Sequence, residues 1–345
     1  MNVLVTGASG FIASRIVEQL LAKGHRVRGT VRSLKKVQEL SSLRSLPGAA
    51  ERLELVEADL LMGGSFDAAA QGCDAVLHTA SPYVLDAKDP QKDLVDPAVQ
   101  GTRNALSACQ KSPTVKRVVL TSSMAAITDE PDSDHVLTES DWNTKSSLER
   151  NPYYYSKTLA ERAAWEFVEK ERPGFDLVVI NPFLVIGPAL SSGVNPSNQL
   201  FVDLLKGTYP GVMNLTWGFV DVRDVADAHV RAILTPEASG RYITAGETIS
   251  MRAVVELLEK NGWAKGNKLP TLGMDCKIGD FAVRVSSYLQ PKGVGSYLRT
   301  HVGRVPRYDA SKAKKELGVE FRPVETSILD TLADLASKGL VTKHT

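Results

Sequence analysis

A tyrosine and a lysine four residues apart, Tyr153 and Lys157, stand at the start of a predicted helix. Residues with this spacing lie on one helical face, so the phenol and the ammonium are neighbours. A nearby cation favours the phenolate and lowers the tyrosine pKa from its free value of about 10. Such a tyrosine can deliver a proton to a carbonyl oxygen. Tyr154 could share this face, although aromatic packing at a helix start is the simpler interpretation of Tyr154 and Tyr155.

A glycine-rich loop, Thr6 to Ala13, lies between the first predicted strand and the first predicted helix. Here Gly7 permits a tight turn, and Gly10 lets the backbone approach a pyrophosphate. The N–H groups and the dipole of the following helix favour an anion, whereas the alternative is a glycine turn without a ligand. We predict dinucleotide contacts at Gly7, Ser9, Gly10, Phe11 and Ile12.

The second predicted strand, His25 to Val31, ends without the acidic residue that binds the ribose 2′-hydroxyl of NAD. Arg32, Lys35 and Lys36 follow it, and cations there attract a 2′-phosphate. The sequence therefore predicts NADP(H) rather than NAD(H), with Arg32 as the main contact because its guanidinium can donate two bonds to one phosphate. The alternative is a solvated basic helix start.

Residues after the third and fourth predicted strands are further candidates for cofactor contact. Asp59 could accept a bond from an adenine amino group, or it could cap a helix. Small residues after the fourth strand allow close approach of a cofactor, and His78 before them is interpreted as a packed core histidine. These cofactor candidates are Asp59, Leu60, Thr79, Ala80 and Ser81.

The fifth predicted strand, Arg117 to Ser122, leads into a second serine, Ser123. The carboxyl ends of strands present ligand-binding residues in doubly wound sheets. A serine hydroxyl at this edge could hydrogen-bond a carbonyl oxygen, whereas the alternative is an ordinary turn former. Successive strand residues point to opposite faces, so only one of the two serines can face the site, and the spacing does not select it.

Short β-branched runs alternate with helical patterns over the first 180 residues. This alternation predicts an α/β fold, a Rossmann-type doubly wound parallel sheet. The first helix stops at Gly24, which suits a left-handed cap, and the helix that carries Tyr153 has Asn151 as its candidate N-cap and Pro152 in its first turn. The predicted strands are Val3 to Thr6, Arg26 to Val31, Leu53 to Val56, Ala75 to Thr79, Arg117 to Ser122 and Asp176 to Ile180.

Regular alternation ends beyond Gly187, where Gly, Pro, Ser and Asn become frequent. We predict a dinucleotide-binding domain over residues 1–186 and a smaller C-terminal α/β substrate lobe mainly over 187–345. A helical pattern from Phe219 to Leu234 indicates that residues 219–235 return to the first domain. Aromatic residues near or in the second lobe are candidate pocket walls, although each is more often a core residue: Phe183, Tyr209, Trp217 and Phe219.

Composition argues against several classes of function. With 41 basic and 40 acidic residues the formal charge is +1, so no overall field attracts nucleic acid or an anionic membrane. The three cysteines show no CxxC pair or metal-ligand spacing, so no metal is expected and we interpret them as reduced packing residues. The chain starts directly in a strand, and its longest apolar run, 177–190, is too short to cross a bilayer. A cytoplasmic location is expected.

Several motifs, in their order along the chain, resemble those of the extended short-chain dehydrogenase/reductases. Within these the chain is similar to the dihydroflavonol reductase and cinnamoyl-CoA reductase group and its fungal methylglyoxal and carbonyl reductase relatives. The resemblance implies a catalytic set of Ser123, Tyr153 and Lys157. It also implies cofactor contacts at Arg32, Lys36, Ala80, Thr121, Pro182 and Val185. The matching segments are TGASGFIAS, GTVRS, HTASP, PAVQGTRN, RVVLTSS, YYYSKTLAERAAW, INPFLVIGP and FVDVRDVADAHV.

Departures from the family pattern concern the substrate. The segment around Tyr153 lacks the Trp and Cys of the cinnamoyl-CoA reductase signature, and Thr128 and Gly218 replace the asparagine and glutamine of flavonoid-reducing members. Segments 139–143 and 219–224 look closer to the fungal group. We therefore expect an NADPH-dependent reductase of small or aryl aldehydes and ketones, acting as a monomer or homodimer on a small-molecule carbonyl substrate.

Three alternatives stay open at this point. The first is a dihydroflavonol or cinnamoyl-CoA reductase. The second is an NAD-dependent nucleotide-sugar epimerase or dehydratase, which the basic region at Arg32 disfavours. The third is a non-catalytic NADP(H) sensor, which would need neither Tyr153 nor Lys157.

Overall fold

The computed structural model describes residues 1–81, 88–131 and 134–344. Its strands are β1 (Asn2–Thr6), β2 (Arg26–Val31), β3 (Leu53–Glu57), β4 (Ala75–His78), β5 (Arg117–Thr121), β6 (Val136–Leu137), β7 (Asp176–Pro182), β8 (Leu184–Ile186), β9 (Val212–Met213), β10 (Thr216–Asp221), β11 (Gly240–Thr244), β12 (Thr248–Ser250), β13 (Gly273–Met274) and β14 (Arg307–Tyr308). Its α-helices are α1 (Phe11–Ala22), α2 (Val37–Arg44), α3 (Ala49–Arg52), α4 (Asp67–Ala70), α5 (Asp96–Gln110), α6 (Pro152–Glu171), α7 (Pro196–Lys206), α8 (Val222–Leu234), α9 (Met251–Lys260), α10 (Lys277–Ser286), α11 (Lys292–His301), α12 (Ser311–Glu316) and α13 (Val324–Ser337). A π-helical turn covers Gln91–Val95, and 3₁₀ turns cover Met124–Ala126 and Ser287–Leu289.

Seven parallel strands form the central sheet in the order β11-β7-β5-β4-β1-β2-β3. The strand order reverses at β1, which pairs with β2 on one side and with β4 on the other. Ligands of doubly wound sheets bind at the carboxyl edge beside such a reversal. The six predicted strands all lie in this sheet, so the predicted Rossmann-type fold is confirmed.

Alternating residues of the strands face two helical layers. Val3 and Val5 belong to the core under α1 and α8, whereas Leu4 belongs to the core under α5 and α6. Each side chain of this size contributes about 1.5–3 kcal/mol when fully buried. The α1 helix ends before Gly24, whose φ of +81° is the left-handed cap that the sequence predicts.

A second core lies beyond β7. Phe201, Phe219 and Ile328 are fully buried there, beside a small sheet of β8, β10 and β12. The division into domains at 1–186 and 187–345 stays a prediction. Two elements that come after residue 187 nevertheless pack with the main sheet and its helices: α8 packs on α1, and β11 forms an edge of the main sheet.

Two sequence predictions are wrong in detail. The helix predicted from Phe219 begins at Val222, because residues 216–221 form β10 and the carboxylate of Asp221 caps the helix by accepting from the N–H of Arg223 at 2.9 Å. Trp217 and Phe219 lie in the second core and Tyr209 packs against it, which agrees with their interpretation as core residues. Cys276 is exposed, unlike the buried Cys73 and Cys109, and is therefore not a packing residue.

Within residues 1–81, 88–131 and 134–344, no helix combines the length and the apolar character needed to cross a bilayer.

Candidate active site

A cavity of about 500 Å³ opens at the carboxyl edge of the central sheet. Its volume lies within the range typical of small-molecule sites. It brings together residues that are far apart in sequence, from the glycine loop to the first turn of α6. The predicted site residues that line it are Gly7, Gly10, Phe11, Ile12, Thr79, Ser81, Thr121, Ser123, Tyr153, Lys157, Pro182 and Val185.

The glycine loop forms a close backbone cradle at one end of the cavity. Gly7 has a φ of +65°, and a Cβ added there would lie 3.2 Å from Ala80. Gly10 precedes α1, and no side chain caps the first N–H groups of that helix. Those N–H groups and the helix dipole suit a pyrophosphate, so the loop fits a dinucleotide.

A buried threonine and histidine hold the loop after β4 against β1. The hydroxyl of Thr6 accepts from the N–H groups of Thr79 and Ala80, each at 3.1 Å. It therefore donates its single proton to His78 Nδ1, at 2.8 Å. Burial lowers the pKa of His78 to about 4, so the ring stays neutral. No local sequence pattern predicts this contact, because Thr6 and His78 meet only through the register of β1 and β4.

Six predicted cofactor contacts do not line the cavity. Arg32 and Lys36 are exposed at the end of β2 and the start of α2. Asp59 uses its carboxylate within its own turn, accepting from the N–H of Leu61 at 2.9 Å; it does not cap a helix, because the next helix, α4, begins only at Asp67. The carbonyl of Leu60 accepts from Asn104 at 2.9 Å. The remaining two are Ser9, which is half-buried beside the glycine loop, and Ala80, which packs on Gly7.

The two serines after β5 point in different directions. The hydroxyl of Ser122 donates to the buried carboxylate of Glu161. Ser123 Oγ accepts from the N–H of Ala125 at 3.1 Å, which leaves its proton for another acceptor. Just before them, Thr121 donates to His229 Nε2 at 2.7 Å, because His229 Nδ1 faces the carbonyl of Val225.

Lys157 is a buried cation at the centre of the site. Its Nζ lies 5.9 Å from the centroid of the Tyr153 ring and donates to Ser81 Oγ at 3.0 Å. Burial lowers the pKa of Lys157 to about 8. Within residues 1–81, 88–131 and 134–344 it forms no ion pair with a carboxylate. A buried charge without such a pair is costly and is typical of functional sites.

The α6 helix that carries Tyr153 and Lys157 starts differently from the prediction. Asn151 is the N-cap residue by position, but its φ is +50° and its side chain makes no capping bond. The amide instead donates to Thr300 Oγ1 at 3.2 Å. Asparagine tolerates this left-handed conformation better than most residues. Asn151 therefore joins α6 to α11.

A buried ionic network that sequence reasoning missed lies behind the serines. Glu161 lies four residues, about one turn of α6, after Lys157. Its carboxylate accepts hydrogen bonds from Arg241 Nε at 2.6 Å and from Asn181 Nδ2 at 2.8 Å. The Asn181 amide also reaches the carbonyl of Ser123 at 3.2 Å. The guanidinium of Arg241 stacks on Trp142 at 4.0 Å. The spacing of Tyr153, Lys157 and Glu161 was the available signal, since all three share one helical face.

The far wall of the cavity comes from α11 and from Tyr154. The ring of His301 stacks on Tyr297 with centroids 4.1 Å apart, and its Nδ1 donates to the Tyr297 carbonyl at 3.1 Å. Its Nε2 therefore faces the Tyr154 hydroxyl as an acceptor, at 3.5 Å. Burial lowers the pKa of His301 to about 4. The Tyr154 ring packs against Tyr153 and His301, with centroids 6.0 and 5.7 Å apart, as the packing interpretation predicts, and it also lines the cavity.

The sheet topology, the glycine loop and the cavity at the carboxyl edge define a protein with a Rossmann-type dinucleotide-binding fold. The model of the NAD dependent epimerase/dehydratase family matches residues 3–246, and the chain belongs to this family.

Individual relatives are reductases. A cinnamoyl-CoA reductase of Medicago truncatula is 40% identical over 344 residues, which cover 97% of this chain and 96% of the relative. Tetraketide alpha-pyrone reductase 2 of Arabidopsis thaliana is 45% identical over 288 residues, 80% of this chain and 85% of the relative. The solved structure of yeast methylglyoxal/isovaleraldehyde reductase Gre2 complexed with NADPH is 30% identical, with a TM-score of 0.79, and covers 99% of this chain and 100% of that one.

These findings confirm the predicted family and the prediction of an oxidoreductase. The predicted cofactor, NADP(H), is the one bound in the yeast neighbour. Whole-chain identity is higher with the plant reductases than with the yeast enzyme, 40% against 30%. A fungal relative, ketoreductase azaE of Aspergillus niger, is 35% identical over 98% of this chain, and the likeness of segments 139–143 and 219–224 to the fungal group stays a prediction.

Proposed function

We propose that this chain is an NADPH-dependent reductase of small or aryl aldehydes and ketones, with Tyr153 as the proton donor. The observation that carries the proposal is the buried ammonium of Lys157, 5.9 Å from the Tyr153 ring, in the cavity that also contains Ser123 and the glycine loop. Carbonyl reduction needs a hydride source, a proton donor and a hydrogen bond to the developing alkoxide. In this cavity the glycine loop would bind the hydride source, Tyr153 is the candidate proton donor, and Ser123 is the candidate hydrogen-bond donor.

The chain's own residues would divide the work as follows. The backbone of the glycine loop would bind the pyrophosphate, and Arg32 with Lys36 would bind the 2′-phosphate. NADPH, when bound, supplies the hydride. Ser123 would donate its free proton to the carbonyl oxygen and so position it. Tyr153 would transfer its proton to that oxygen, and the ammonium of Lys157 would stabilise the phenolate left behind.

The walls of the cavity favour an apolar substrate. Met124, Phe183, Leu184 and Tyr297 provide apolar or aromatic surface, which suits an aryl group beside the reacting carbonyl. Among the described lining residues, Lys157 is the only lysine or arginine. These described residues thus include no second cation for the diphosphate of a nucleotide sugar, which argues against an epimerase.

The test is to follow NADPH consumption by the purified chain with a panel of carbonyl compounds. The panel comprises methylglyoxal, aryl aldehydes, β-ketoesters, cinnamoyl thioesters and dihydroflavonols, so that the substrates of the plant reductases compete directly with the proposed ones. We expect one NADPH consumed per alcohol formed, with aryl aldehydes or ketones among the best substrates. Turnover of a nucleotide sugar, added as a further test compound, without net loss of cofactor would overturn the proposal. A strong preference for thioesters or dihydroflavonols would show that the proposed substrate class is wrong and that these compounds are the substrates.

A further inference from the structure

An apolar face of the α10 segment points away from the protein. Ile278, Phe281, Val285, Tyr288 and Leu289 lie on α10 and the 3₁₀ turn that follows it, and their exposed fractions are between 55% and 89%. Steps of three and four residues place them on one side of a helix. Of the fourteen large apolar side chains exposed in the described ranges, eight lie between residues 272 and 305. The exposure is therefore concentrated in this segment.

Packing fixes the direction of this face. The opposite side of the same helix and turn is buried through Gly279, Val283 and Ser287. A Cβ on Gly279 would lie 1.9 Å from the carbonyl oxygen of Met274, so the helix sits too close to β13 to rotate. The guanidinium of Arg299 lies 4.5 Å from the Tyr288 ring centroid and ties the turn to α11. The apolar side chains thus face outward in a defined orientation.

The apolar area exposed on this face is larger than that of most apolar patches on monomeric proteins. Aromatic side chains present about 150–250 Å² each, so Phe281 and Tyr288 together expose roughly 200–350 Å² at these fractions, and the three aliphatic side chains add to this area. The five together pass the few hundred Å² above which a contiguous apolar patch marks a binding surface.

Positive charge is concentrated around the same face. Residues 276–306, which follow Asp275, contain five lysines and arginines, of which Arg304 is paired with Glu130, and a single acidic residue, Asp280; the whole chain has 41 basic and 40 acidic residues. Asp280 accepts a bond from Asn214 at 3.1 Å. Lys277, Arg284 and Lys292 are exposed beside the apolar side chains. The formal charge of the whole chain, +1, therefore does not reveal this local excess of positive charge.

We propose that this face binds peripherally to a membrane surface that contains anionic lipids. An exposed apolar helix face bordered by lysine and arginine is the pattern of helices that lie in the membrane interface. A second copy of the chain fits less well, because an isologous contact would bring the same cationic borders together. The next helix, α11, supplies Tyr297 and His301 to the cavity, so the bound surface would lie beside its substrate side.

The proposal is tested by flotation of the full-length chain with vesicles. One set of vesicles contains phosphatidylcholine alone, and the other contains phosphatidylcholine mixed with phosphatidylserine. We expect binding to the second set that weakens as salt is raised. Ile278→Ser combined with Leu289→Ser should lower the partition coefficient at least about tenfold, and Lys277→Glu combined with Lys292→Glu should do so by a similar factor.

Matched variants separate this surface from general effects. Leu234→Ser removes an exposed leucine at the end of α8, and Lys23→Glu reverses an exposed cation after α1, so both should leave binding unchanged. Circular dichroism and thermal unfolding should show that all variants remain folded, because the altered side chains are exposed. Absence of binding to phosphatidylserine vesicles, or equal loss in the matched variants, would overturn the proposal. Self-association in sedimentation velocity that Leu289→Ser abolishes would identify a second copy instead and would also overturn it.

Discussion

The two walls of the cavity are supported in different ways. On the sheet side, Ser123, Tyr153 and Lys157 stand in front of buried hydrogen bonds that involve Glu161 and Thr6. On the far side, Tyr297 and His301 belong to α11, next to a helix whose outer side chains are exposed. Groups that move protons need fixed positions, and buried bonded networks supply them. The far wall is held by the stacking of His301 on Tyr297 and by hydrogen bonds between neutral groups, whereas the sheet-side network includes the buried ion pair of Glu161 and Arg241.

Tyr153→Phe is the strongest test of the sheet-side wall. It removes the proposed proton donor but little volume, so kcat should fall by about 10²–10⁴-fold while NADPH still binds. Steady-state kinetics and a fluorescence titration with NADPH check both parts. Tyr155→Phe is the matched control, because Tyr155 does not line the cavity. Full activity of Tyr153→Phe would contradict the assignment.

Glu161→Gln tests whether the network behind the serines is structural support. The change leaves Arg241 buried without its counter-charge, so the free energy of unfolding should fall by about 3–5 kcal/mol. Denaturant unfolding measures it. Glu166→Gln on the same helix is the control: Glu166 is half-exposed and lies 3.9 Å from the equally exposed Arg103, so its loss should be within about 1 kcal/mol. Equal losses in the two variants would show that the buried pair has no special role.

The pH dependence of turnover tests the role of Lys157. Its pKa of about 8 means that the ammonium is present below this pH and is lost above it. Because the neutral amine no longer stabilises the phenolate, kcat/KM should fall about tenfold per pH unit above this value. His78 is close to Lys157 but titrates near 4 and does not contribute in this range. In Lys157→Arg the side chain stays charged, so the alkaline decline should move to higher pH. A decline that stays in place would belong to another group.

Arg32→Ala tests the proposed phosphate contact at the outer edge of the sheet. Loss of a charge-assisted contact should raise the KM for NADPH by about 10–100-fold and leave the KM for NADH nearly unchanged. The comparison of the two cofactors makes the measurement specific. Arg44→Ala, which removes an exposed arginine at the end of α2, should change neither value. A similar rise for both cofactors would exclude the phosphate role.

Tyr154→Phe probes the far wall and should have the smallest effect. The Tyr154 hydroxyl and the acceptor Nε2 of His301 could together hydrogen-bond a hydroxyl on the substrate. Loss of one such bond should raise the KM for a hydroxylated aryl aldehyde by about 2–10-fold and spare the aldehyde without the hydroxyl. The pair of 4-hydroxybenzaldehyde and benzaldehyde makes the comparison. An equal change for both would assign Tyr154 to packing.

The sequence predicted the sheet and much of the sheet-side wall, because these depend on local patterns. The predicted strands and the turn at Gly7 follow from a period of two and from glycine's access to positive φ. The spacing of Tyr153 and Lys157 follows from the helix repeat. Two predictions from local patterns failed where contacts with distant segments decided the outcome: Phe219 belongs to β10, and Asn151 bonds α11 instead of capping α6.

By itself, the sequence determined which groups could do chemistry, since spacing along one helix or one loop fixes their neighbours. Only the tertiary structure decided what surrounds them. Glu161 meets Arg241 across 80 residues, and His301 reaches Tyr154 across 147. The orientation of Ser122 depends on that same Glu161 carboxylate. Contacts between distant segments arise from the packing of whole elements, and no short window of sequence encodes that packing.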